Sequence, residues 1–184
     1  NYVVSNNQTY KTDAKFASLD ARPVTTKSDE NGMKILASIK NTNDAIRNSV
    51  IENTIRHART IDNILSEAES YLGTPYRFGG TTRNGIDCSA FVLSVFGAAA
   101  GLNLPRVAAQ QSQEGDSVER TQLQKGDLVF FSHGGRRISH VGIVEDVTPE
   151  GEVKFIHAAT SKGVMVSSLD DNYWGPKFKF AKRI

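Results

Sequence analysis

Tyr76-Arg77-Phe78-Gly79-Gly80-Thr81-Thr82-Arg83-Asn84-Gly85-Ile86-Asp87-Cys88-Ser89-Ala90-Phe91-Val92 is the stretch on which the fold of this chain turns. It opens as a glycine-rich loop, ends in an apolar run with helical spacing, and holds the one cysteine of the protein between them. Asp87 is a residue type favoured at a helix N-cap, which sets Cys88 in the first turn. From there Cys88, Phe91, Val92, Val95 and Ala99 recur at the spacing of a buried helix face. The thiol is therefore expected to face whatever the helix packs on. At the positive end of the helix dipole its pKa is expected to fall, favouring a thiolate. These are the features of a nucleophile.

Composition bounds the setting. The chain has 184 residues, 39% apolar and 23% charged, enough for one ordinary domain and an extension. A net charge of +2 is too small for a nucleic-acid footprint. No apolar run is long enough to span a bilayer. A single cysteine excludes an internal disulfide framework and leaves a packed core to hold the fold. It fits a reducing cytosol and equally an exported enzyme with a reactive thiol. The sequence begins at Asn1, without methionine or a signal-like segment, so a processed or truncated N-terminus is expected.

Outward from the central stretch, residues 1–31 are polar and read as an extended or weakly ordered arm. Met33, Leu36, Ile39, Ile46, Val50, Ile51 and Ile55 recur at helical intervals, and Asn41-Thr42-Asn43 is expected to divide them into two helices. Ile61, Ile64, Leu65, Ala68 and Leu72 predict a third helix stopped by Gly73. The Cys88 helix is expected to run to about Gly101, with a further short helix over 107–113. Beyond Gly126 the period changes. Residues 127–132, 140–146, 153–158 and 163–167 read as four short strands with short connections, which implies an antiparallel meander. Helices followed by strands predict an α+β domain.

A cysteine nucleophile usually needs a histidine to take its proton and a third group to orient that histidine. His140 and His157 fall on consecutive predicted strands. Directly opposed, or offset by two residues, the rings share a face of the sheet; offset by one, they point away from each other. A catalytic reading requires one of the first two registers. Gly142 would lie on the same face and leave room there for a helix end or a substrate backbone. His57 and His133 sit on a polar helix and in a Gly-Arg loop and read as ordinary surface residues. Close ligand pairs of the C-x₂-C or H-x₃-H kind are missing, so zinc is not expected, nor is any cofactor.

The motifs resemble the NlpC-type family of bacterial cell-wall cysteine endopeptidases, and most closely its outer-membrane murein endopeptidases. The resemblance runs over about residues 61–184, after a polar arm and helical extension over 1–60 to which it does not extend. It is carried by Gly73-Thr-Pro-Tyr-Arg-Phe-Gly-Gly80, Gly85-Ile-Asp-Cys-Ser-Ala-Phe91, Leu104-Pro-Arg106, Gly126-Asp-Leu-Val-Phe-Phe131, Ser139-His-Val-Gly-Ile143, Phe155-Ile-His-Ala158 and Tyr173-Trp174. Ala90 departs from the pattern, where glycine is commoner. The resemblance implies a papain-like core with helices packed on an antiparallel sheet. It makes Cys88 the nucleophile, His140 the general base and His157 the group orienting His140. Tyr76 would help hold the oxyanion, and Asp87 and Ser89 would bind substrate, with N-capping an equal claim on Asp87. Arg106 stays open between an ion pair and a substrate carboxylate, and Asp127 is expected to serve a turn.

The same resemblance implies peptidoglycan stem peptides as substrate and a periplasmic or cell-surface location. It leaves room for a lipid anchor outside this stretch of chain. Two other readings use the same residues. One is a thiol acyltransferase or amidase acting on a lipid or small molecule; the other is a wall-binding module whose catalysis has lapsed.

Overall fold

The computed structural model describes residues 27–184. The described chain falls into two units that divide between Arg47 and Asn48. One helix, α1 (Lys27–Glu69), replaces the three expected. Asn and Thr weaken a helix by only tenths of a kcal/mol each and do not end it. Thr42 moreover satisfies its hydroxyl inside the helix by donating to the Ser38 carbonyl at 2.9 Å. The polar arm expected over 1–31 lies for residues 1–26 outside the described residues, and its remainder is helical. In the first unit Met33, Leu36 and Ile39 are exposed. In the second, α1 buries Ile64, Leu65 and Ala68. Its chain then leaves through Gly73, in the left-handed region at φ 80°.

The glycine-rich stretch forms a small hairpin of β1 (Thr81–Thr82) and β2 (Gly85–Ile86), paired Thr81 to Ile86. Gly80 is required there, because a Cβ at that position would overlap the Gly85 carbonyl oxygen. The hairpin delivers the chain to α2 (Cys88–Ala100), capped by the Asp87 side chain and ended by Gly101 at φ 68°. Phe91, Val92 and Val95 are fully buried along its inner face. Each contributes on the order of 2 kcal/mol by leaving water. A short α3 (Ala108–Gln111) follows.

Among the described residues the sheet has six strands rather than four. The expected meander is present as β4 (Leu128–Phe131), β5 (His140–Val147), β6 (Val153–Ala159) and β7 (Gly163–Ser168), each pair antiparallel. Added to it are β3 (Asp116–Val118) and β8 (Phe178–Arg183), giving the order β3-β8-β4-β5-β6-β7. Asp127 serves its expected turn by accepting from the Gln124 amide, and it also pairs with Arg183 of β8 at 2.7 Å. The fold is α+β. One face of the sheet, with Leu128, Phe130, Val141, Ile143 and Ile156, packs with α2 and the end of α1. The other packs Val129, Phe131, Val144, Phe155 and Trp174 into a second core.

Candidate active site

Cys88 stands at the first helical position of α2, 7% exposed. Behind it Asp87 organises the helix start. Its carboxylate accepts from the Ala90 amide at 2.8 Å, from the Gly79 amide at 3.1 Å and from Ser89 Oγ at 3.2 Å. Arg106 grips it in a fork at 2.6 and 2.9 Å and also donates to Ser89 Oγ at 3.0 Å. Burial alone would raise the Asp87 pKa, but the Arg106 guanidinium and these donors hold it below the usual carboxylate range. Arg106 is thus committed to an ion pair inside the protein.

The thiol does not behave as its place on the helix suggested. Burial pushes its pKa up to about 11. The amides of Val141, Ser89 and Cys88 itself act to lower it, and the Asp87 charge acts to raise it. The dipole argument omitted desolvation, which here outweighs the nearby N–H groups. Cys88 rests as a neutral thiol against the amide of Val141, the residue that follows His140.

The register between β5 and β6 pairs Ile143 with Ile156, which places the two histidines at an offset of two residues on one face. His140 Nε2 lies 2.9 Å from His157 Nδ1, and His157 Nε2 lies 3.0 Å from Ser167 Oγ on β7. Gly142 does have a spatial reason, but a different one from that expected. A Cβ there would press on the Phe155 ring first and then on the Ile156 carbonyl and the His157 Cβ, so the glycine makes room for β6 and not for a helix end or substrate.

Trp174 covers the pair. Its ring stacks on His140 at 4.8 Å between centroids and meets His157 edge-on at 4.6 Å. Phe155 stacks on the other ring at 4.7 Å. Enclosed this way, His140 is held well below the ordinary imidazole pKa by burial, then by His157 and His133. His157 is lowered to about 4 by burial. Both rings are neutral near pH 7.

A cleft of about 530 Å³ opens on Cys88, lined also by Tyr76, Asp87, Ser89, Arg106 and Arg137. Tyr76 is half-buried, and its hydroxyl pKa is raised by burial and then by Cys88 and Asp87. A second cavity of about 290 Å³ opens on His140 and is walled by Trp174 and Tyr173. His133, read from sequence as a bland surface residue, borders this cavity with its ring 6.0 Å from that of His140. Sequence reasoning also passed over Ser167, a serine in a short strand with no local mark.

Residues 73–183 match the NlpC/P60 family. The chain is 47% identical over 119 residues to the probable endopeptidase NlpC of Escherichia coli, covering 64% of this chain and 74% of that one. It is 41% identical over 135 residues to the murein DD-endopeptidase MepS/murein LD-carboxypeptidase of the same organism, covering 72% of this chain and 68% of the relative. A solved NlpC/P60 family protein from Bacillus cereus superposes with a TM-score of 0.60 at 29% identity, over 67% of this chain and 39% of that one.

Proposed function

This chain belongs to the NlpC/P60 family, and from that premise we propose that it is a cysteine endopeptidase cleaving stem-peptide amide bonds of peptidoglycan. The observation that carries the reading is the relay from Ser167 through His157 to His140, ending beside the amide that holds the Cys88 thiol. For His140 to act as base, Nδ1 must carry a lone pair, so Nε2 bears the proton and donates to His157 Nδ1. His157 then donates from Nε2 to Ser167 Oγ. The Ser167 hydroxyl is able to accept that bond, so every partner in the relay is satisfied in the tautomer the base needs.

With both partners neutral at rest, the proton moves as the bond forms. His140 Nδ1 takes the Sγ proton while sulfur attacks the carbonyl carbon. The oxyanion is held by N–H groups at the start of α2, with Tyr76 alongside. Protonated His140 passes its proton to the departing amine, leaving a thioester on Cys88. It then takes a proton from water, which hydrolyses the thioester and restores the thiol. Asp87 and Ser89 form the floor on which substrate lies, set in place by Arg106. The catalytic domain is residues 61–184 and residues 1–60 are its extension. Such a substrate places the enzyme outside the cytoplasmic membrane.

Digesting purified peptidoglycan and weighing the fragments tests this. Wild type should release peptides cut within or between stems, and Cys88→Ala should release none. Unchanged fragments with wild type would sink the proposal.

A further inference from the structure

The two cavities divide the reacting pair between them: Cys88 lines the larger and His140 the smaller. During cleavage the acyl carbon is bonded to Sγ while the departing nitrogen must reach the proton on His140. The leaving fragment therefore extends from the His140 side, into the smaller cavity. Its apolar wall is Trp174 and Tyr173, and Lys162 reaches it from the turn between β6 and β7. That turn is pinned, because a Cβ on Gly163 would overlap the Thr74 carbonyl oxygen.

Lys162 and Asp171 are the charged groups that border it. Among the described residues Lys162 makes no ion pair. Asp171 is the carboxylate bordering the cavity, and its Oδ1 is taken by the amides of Tyr173 and Trp174 at 2.9 and 2.5 Å. His133 also borders the cavity, with its Nδ1 3.0 Å from Ser139 Oγ.

We propose that this cavity is the leaving-fragment subsite and that Lys162 binds a carboxylate carried by the amino acid whose amine departs. The inference rests on the endopeptidase reading for its direction. Lys162 touches no reacting atom; it selects and positions. Its partner is a free carboxylate, and converting that group to a carboxamide removes the attraction without changing shape. An exposed ammonium in a half-open cavity gives a preference of about fivefold.

The test uses two peptides differing only in carboxylate against carboxamide on the leaving amino acid. They are cleaved by wild type, Lys162→Gln and Lys162→Glu, and binding of the two released amine fragments is measured by calorimetry. Wild type should favour the carboxylate about fivefold in kcat/KM. Lys162→Gln should erase the preference, and Lys162→Glu should invert it. The same preference in Lys162→Gln, or none in wild type, overturns the subsite. Calorimetry separates the two claims. Lys162-dependent carboxylate binding without cleavage of either peptide supports the subsite and counts against the endopeptidase. Cleavage with no carboxylate preference in rate or binding overturns the subsite alone.

Discussion

On the helix side of the site, the group behind Cys88 is Asp87, a carboxylate wrapped by a guanidinium, two amides and a hydroxyl. On the sheet side, the group behind His140 is His157, an imidazole fully buried between Phe155 and Trp174 with a single hydroxyl at its far nitrogen. The first is held as a charge by other charges. The second is held neutral by the removal of water. The same act of burial that is answered on one side by Arg106 is left unanswered on the other, where it holds His140 neutral. Cys88 and His140 are therefore both neutral near pH 7.

The contrast can be broken from either side. The largest effect is expected from His140→Ala, which removes the only base the reading supplies and should lower kcat/KM by about a thousandfold or more with fold intact by circular dichroism. Acid comes next. An imidazole whose folded pKa is depressed stays unprotonated while the unfolded chain takes up a proton, so stability is full above the unfolded value and falls as pH drops. For His157 that window runs from 6.5 to about 4, with a loss on the order of 3 kcal/mol. Thermal melts should decline across it, and His157→Gln should flatten the decline.

Arg106→Met sharpens the helix side. It strands the Asp87 carboxylate, which is 9% exposed, and should cost about 2–3 kcal/mol, less than a wholly buried pair because Arg106 is itself 38% exposed. Urea melts would read this, and a double change with Asp87→Asn should recover part of it. The smallest effect is expected from Ser167→Ala. It removes the acceptor at His157 Nε2 and should lower kcat by about tenfold with KM unchanged, without moving the melting curve by more than a degree or two.

Much of this was legible beforehand because it is local. Asp87 before an apolar helical face is a cap signal, and Asp87 caps. The alternating strands after Gly126 gave the meander and left only a choice of register for His140 and His157. What escaped was non-local. β8, Phe178-Lys-Phe-Ala-Lys-Arg183, is not among the four strands expected, because its partner β4 lies some fifty residues earlier. The thiol pKa escaped because a helix dipole is visible in sequence and desolvation by a packed sheet is not. His133 was set aside for sitting in a Gly-Arg loop; only the fold of that loop brings it to the cavity beside His140. The division of α1 failed for a different reason, since weak helix formers were read as breakers.

The most direct measurement is acid-quenched mass spectrometry of the enzyme during turnover on peptidoglycan peptides. An acyl fragment should be found as a thioester on the peptide containing Cys88, appearing before product and missing in Cys88→Ala. Product formed at the wild-type rate by Cys88→Ala, with no adduct on the wild-type thiol at any time, would contradict the account.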